Sequence, residues 1–185
     1  PVDVDLASEF RYRGPMLDRA TTVIAVTQSG ETADTLAGVA LAKSQGAKVL
    51  AICNVMGSSI ARKADAVLYT HAGPEIAVAS TKAYTAQITA LALLALSLAK
   101  ARNRVSASRW QELVRGLRQL PTLVERTLAT ERLIKAIAKR YATARNFYYL
   151  GRRYNFPSAL EGALKLKEIC PLIHAEGYAA GEMKH

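Results

Sequence analysis

The sequence predicts an α/β fold, a three-layer α/β/α sandwich on a parallel sheet. Short β-branched runs alternate with helical patterns, glycines punctuate the joins, and the alternation starts afresh near residue 146. The first run, 22–26, is rich in Thr, Val and Ile and reads as a strand. A helical pattern over 31–45 follows, and Gly46 stands where a helix C-terminus calls for glycine. The stretch 47–53 is the second strand, 58–63 a short helix, 66–70 the third strand, and 80–102 a long helix.

After Arg104 the composition shifts to charged helices, 108–119 and 123–144, broken at Pro121. A second α/β unit opens with a strand over 146–151. Its helix runs from residue 157 or 158 to about 169, where Pro171 stops it. The domain reading is therefore a first α/β domain lacking its beginning over 1–104, a helical connector over 105–145, and the start of a truncated second domain over 146–185. Pro1 stands where an initiator Met would be, and the chain is expected to be a segment of something longer.

Half of the 185 residues are hydrophobic, enough to bury a core and to exclude global disorder. The longest apolar stretch, 86–99, is interrupted by Gln87, Thr89 and Ser97 and falls short of the ~20 residues of a membrane span. It is expected to be a buried helix. The N-terminal acids Asp3 and Asp5 do not suit a secretory leader, so a cytoplasmic protein without a membrane partner is expected. Cys53 and Cys170 are too far apart for a metal or redox motif and are expected to be ordinary buried thiols. The net charge of +10 gathers between Lys100 and Arg153 at helical spacing, without interleaved aromatics. That is a solvated basic face rather than a nucleic-acid site, and its field suits small anionic substrates.

Ligands of open α/β sheets bind where strands end and helices begin. Three such joins are rich in hydroxyls: Thr27-Gln28-Ser29-Gly30-Glu31-Thr32, Gly57-Ser58-Ser59 and Ala79-Ser80-Thr81. Each alone reads as a helix N-cap. Together on one sheet edge they read as a phosphate cradle of hydroxyls and helix-start amides. With no Walker lysine and no G-x-G-x-x-G, the expected ligand is a sugar phosphate rather than a nucleotide. Glu161, Lys165 and Glu168 fall on one face of the last helix. They are either a surface ion pair or an acid/base with its electrostatic partner. His174 and His185 are the nearby imidazoles.

These blocks resemble a known family. The segments Ala7-Ser8-Glu9-Phe10-Arg11-Tyr12-Arg13, 27–36, 51–55, Gly73-Pro74-Glu75-Ile76 with Val78-Ala79-Ser80-Thr81-Lys82, 159–169, His174-Ala175-Glu176 and 178–182 are similar, in order, to the isomerase domain of the glucosamine-6-phosphate synthases, also called glutamine–fructose-6-phosphate aminotransferases. The resemblance implies two sugar isomerase (SIS) domains, the second cut short. It implies amination of fructose 6-phosphate by ammonia from a separate glutaminase domain, then isomerisation to the aldose, in a homodimer with no metal or redox cofactor. Carried over by motif, Thr27, Gln28, Ser29 and Thr32 would bind the phosphate, and Val78 and Ser80 would line the sugar site. Glu168 would be the acid/base, Lys165 its partner, and His185 the ring-opening group reaching a neighbouring subunit's site. Thr27 departs from the usual Ser. The family's glutaminase domain, a Cys-Gly-Thr-Ser segment and a C-terminal imine-forming lysine lie outside this sequence, so the chain alone is expected to be inactive or poorly folded. The rival readings are a non-catalytic sugar-phosphate sensor, a deglycase or isomerase without a glutaminase, and a nucleic-acid binder whose affinity would fall steeply with salt.

Overall fold

The computed structural model describes residues 2–184 and divides the chain into two compact units. One comprises the chain to Glu75 with Thr81–Val105; the other comprises Ile76–Ser80 and the chain from Ser106 onward.

The first unit holds a parallel sheet in the order β1 (Thr22–Val26), β2 (Lys48–Cys53), β3 (Ala66–Tyr69), in register from Thr22 opposite Lys48 and from Leu50 opposite Ala66. Helix α1 (Ala7–Phe10) packs on α2 (Ala33–Ser44), which crosses over from β1 to β2; α3 (Ser59–Lys63) links β2 to β3, and α4 (Lys82–Ala101) follows. One side of the sheet buries Ala25, Val49 and Ala51 against Val39, Ala42 and Ile60. In β2 the consecutive residues Ala51, Ile52 and Cys53 are all fully buried, so both faces of the central strand are covered, as a parallel sheet requires.

Local chemistry sets the element ends. Gly46, at φ +85°, closes α2: its amide donates to the Lys43 carbonyl, and the Ala47 amide donates to that of Ala42. The Asp65 carboxylate ties β3 to β2 by accepting from the Val49 amide at 2.7 Å and from Lys43 Nζ at 2.7 Å. The Lys43 contact and the Val49 amide hold its carboxyl below the usual range. A depressed carboxyl contributes stability that is present above its unfolded value, near pH 4, and is lost as pH falls through the folded value. Asp65→Asn is therefore expected to lower the thermal midpoint at pH 7. The gap to the parent should narrow as pH falls below the ordinary carboxylate value of about 4 and on through the lower folded one, where the carboxyl becomes neutral. A gap unchanged across a pH series of melts would contradict this.

The structure differs from expectation at α4. The helix extends past the apolar stretch to 20 residues, and by length and composition alone it could cross a bilayer. It packs on β2, and the expected burial is not reached: only Ala83 and Ala90 are buried, while Ile88 is 46% and Leu93 48% exposed. A helix of that length spans ~30 Å, more than the ~15–20 Å that four to six strand residues offer beneath it.

In the second unit, α5 (Ala107–Arg118) is capped by the Ser106 hydroxyl, which accepts from the Arg109 amide. The expected single helix over 123–144 is instead two, α6 (Leu120–Leu128) and α7 (Glu131–Arg140). The Thr130 hydroxyl donates to the Thr127 carbonyl at 2.7 Å, turning the chain where no glycine or proline marks a break. The break expected at Pro121 falls at Gln119, between α5 and α6, and Pro121 lies in the first turn of α6, where its missing amide is tolerated. Strand β4 (Asn146–Gly151), α8 (Asn155–Ile169) and β5 (His174–Ala179) then form a parallel β-α-β unit, with Asn146 opposite His174. The start of α8 lies two residues before the expected Pro157.

Candidate sugar-phosphate site

The turn after β1 is held from within. Thr27 continues the sheet by donating its amide to the Ile52 carbonyl, and at 6% exposure its hydroxyl faces inward, where Oγ1 accepts from the Gly30 amide at 3.1 Å. Ser29 Oγ accepts from the Glu31 amide at 3.2 Å, and the Gln28 carbonyl accepts from the Asn54 amide at 3.1 Å. Gly30 has φ +70° and lies against Ser58 and Cys53, so only a residue without a Cβ fits. Four of the expected ligands, Thr27, Gln28, Ser29 and Thr32, therefore sit together at the C-terminal edge of the sheet. Thr27 differs from the other three because it is buried, with its hydroxyl bonded inside the turn.

The three hydroxyl-rich joins look alike in sequence but differ in what remains open. At α3 the first amides are all engaged: Ser59 donates to Glu31 Oε1 at 2.8 Å, Ile60 to the Gly30 carbonyl at 3.0 Å, and Ala61 to the buried Ser58 hydroxyl at 3.4 Å. Ser58 is thus an N-cap and not an anion ligand. At α4 the Glu75 carboxylate takes that place, accepting from the Thr81 amide at 3.4 Å and the Ala83 amide at 3.2 Å. At α2 no side chain caps the helix: Thr32 is the N-cap residue, exposed and without a side-chain bond to the first turn. The orphan amides and positive dipole end of this twelve-residue helix face the Thr27–Thr32 turn, as anion binding requires.

Beside this turn opens a cleft of about 490 Å³ lined by Gln28, Asn54, Val55, Met56, His71 and the Gly73–Glu75 segment. Asn54 shapes its wall. Its Oδ1 accepts from the Thr70 hydroxyl and the Ala72 amide, and its Nδ2 donates to the Gly73 carbonyl at 2.7 Å. Sequence reasoning missed Asn54, His71, Glu75 and Glu31 as site residues. The available signal was a polar residue directly after a strand, which marks Asn54. The Glu31 carboxyl is held below its usual range, first by the hydrogen bonds from Ser59 and then by the charges of Arg62 and Lys63.

In the second unit, α8 brings Glu161, Lys165 and Glu168 together as the i, i+4, i+7 spacing predicts. Lys165 Nζ lies 2.6 Å from Glu168 Oε2 and 3.3 Å from Glu161 Oε1, with all three side chains half-buried. Burial alone depresses the Lys165 pKa, but the bonds to Glu168 and Glu161 outweigh it and raise the value overall. A raised lysine keeps its charge through neutral pH, and the stabilisation it gives is lost only as pH climbs through the folded value, above the ordinary ~10.4. Val78 and Ser80 lie on the Ile76–Ser80 segment, with Val78 92% exposed. His174 is exposed, with Nε2 3.6 Å from Glu176 Oε1, and His185 lies outside the described residues.

The family model for the SIS domain matches residues 1–97. Glutamine–fructose-6-phosphate aminotransferase (isomerizing) of Mycolicibacterium smegmatis is 57% identical over all 185 residues, and that of Corynebacterium glutamicum 55%. The chain spans 29% and 30% of their respective lengths. Among solved structures, the C-terminal domain of glucosamine-fructose-6-phosphate aminotransferase from Francisella tularensis superposes with a TM-score of 0.95 at 41% identity, covering all of this chain and 52% of that one. A putative phosphosugar isomerase from Clostridium difficile matches at TM-score 0.79 and 26% identity, over 92% of this chain and 48% of that one.

Proposed function

The chain belongs to the SIS-domain family, and from that premise we propose that it is the sugar-isomerising part of a glutamine–fructose-6-phosphate aminotransferase. The observation that carries the reading is the uncapped start of α2 behind the Thr27–Thr32 turn, the one hydroxyl-rich join whose helix amides are not already engaged by a side chain. Ser29, Thr32, the Gln28 side chain and the α2 amides hold the phosphate of fructose 6-phosphate, while buried Thr27 keeps the turn in shape. Val78 and Ser80 line the sugar.

Ammonia from the glutaminase domain of the complete protein condenses with the C2 carbonyl and releases water. Glu168 then takes a proton from C1 and returns one to C2, converting the ketose imine to the 2-amino aldose. Lys165, held charged beside it, stabilises the negative charge that develops on oxygen. His185 opens the sugar ring from a neighbouring subunit of a cytoplasmic homodimer. A sensor would need the phosphate turn but has no use for the Lys165–Glu168 pair, which favours the enzyme. A deglycase without a glutaminase shares the proton chemistry and differs in its ammonia source.

Crystals of the complete protein soaked with fructose 6-phosphate are the test. Phosphate oxygens are expected within about 3 Å of the Ser29 and Thr32 hydroxyls. Density for the sugar phosphate at any other place, with the Thr27–Thr32 turn empty, would sink the reading.

A further inference from the structure

Glu31 has no part in the chemistry above, and a carboxylate two residues from Ser29 is at first sight the wrong charge beside a phosphate. Its surroundings resolve this. Glu31 Oε1 accepts from the Ser59 amide at 2.8 Å, across 28 residues of sequence, so the acid sits on the start of α3 and faces Arg62 and Lys63 rather than the α2 amides. Two further bonds run in parallel: the Gly30 carbonyl accepts from the Ile60 amide at 3.0 Å, and the Gln28 carbonyl accepts from the Asn54 amide at 3.1 Å. The Ser29 hydroxyl is tied to the Glu31 amide, so the position of residue 31 sets where that hydroxyl points.

We infer that Glu31 is a positioning residue of the anion-binding turn, clamping it to the start of α3 so that the Ser29 and Thr32 hydroxyls converge in front of α2. The inference rests on the function proposed above. The clamp also fills the α3 start with an internal anion, which leaves α2 as the helix start open to a ligand.

The test compares Glu31→Ala, Glu31→Asp and Glu31→Gln in the complete protein. Binding of fructose 6-phosphate and of inorganic phosphate is measured by calorimetry, and KM and kcat by steady-state kinetics. Glu31→Ala loses the acceptor and is expected to raise the Kd and KM about tenfold, with a smaller change, within about threefold, in kcat. Glu31→Asp is one methylene short of Ser59 and carries the same expectation where the alanine variant does not fold. Glu31→Gln keeps an oxygen to accept the Ser59 amide and is expected to bind within about threefold of the parent. Parental binding by the alanine and aspartate variants, or an equal loss in the glutamine variant, overturns the clamp while leaving the functional reading intact. A parent protein that binds neither ligand overturns both.

Discussion

Replacing Gly30 by alanine is expected to unseat the whole Thr27–Thr32 turn. A Cβ built at residue 30 would lie 2.1 Å from Ser58 Oγ, 2.5 Å from Ser58 Cβ and 2.9 Å from Cys53 Sγ. Neither neighbour can yield. Cys53 is fully buried, and Ser58 is 3% exposed with its hydroxyl engaged by the Ala61 amide. The overlap adds to the strain of a left-handed backbone at φ +70°. Overpacking of this kind costs about 1–3 kcal/mol and the backbone a further ~1–2 kcal/mol, so a loss of about 3 kcal/mol is expected in urea unfolding. Gly57 supplies the control. It has a nearly identical φ of +69° but open space around the added carbon, so Gly57→Ala should show the backbone part alone. Equal losses in the two variants would mean that the contact with Ser58 contributes nothing. Sugar-phosphate binding should fail in Gly30→Ala even below its melting temperature, because the Gly30 carbonyl and amide both anchor the turn.

The second large effect is expected from Glu168→Gln in the complete protein. On the proposed mechanism this carboxylate carries the proton between C1 and C2, and removing a general acid/base lowers kcat by about 10²–10⁴-fold. Binding of fructose 6-phosphate should change little, within about threefold, since the phosphate turn belongs to another part of the chain. Stability should also hold, because a half-exposed ion pair contributes only ~0–1 kcal/mol and Lys165 keeps Glu161 at 3.3 Å. Glu161→Gln is the matched control: it leaves the shorter Lys165–Glu168 contact in place and should retain most turnover. Normal turnover with lost binding in Glu168→Gln would reverse the assignment of roles.

Much of the fold was legible where local and global preferences agree. The β-branched runs of β1 and β2, the glycine that ends α2 and the serine that caps α3 all appear in the structure where pattern and residue chemistry place them. What sequence reasoning missed was held by distant partners. Strand β5, His174–Ala179, contains a glycine, a histidine and a glutamate and no β-branched side chain; its extended form comes from pairing with β4. The turn between α6 and α7 is closed by the Thr130 amide and hydroxyl, both donating to the Thr127 carbonyl, in a stretch that a helical pattern does not distinguish from its neighbours.

The candidate site divides in the same way. Sequence alone determined that hydroxyls and glycines gather at three strand-to-helix joins, and that Glu161, Lys165 and Glu168 share a helix face, because both follow from local periodicity. Only the tertiary structure decided which of the three helix starts already meet a side-chain acceptor. Helix-start amides are satisfied by whatever acceptor arrives, and at α3 and α4 the acceptors are Glu31 and Glu75, brought there by the packing of the sheet edge and the return of the chain at Thr81. The amides at α2 meet no such side chain, a property of three-dimensional neighbours that the motif pointing to the Thr27–Thr32 turn does not contain.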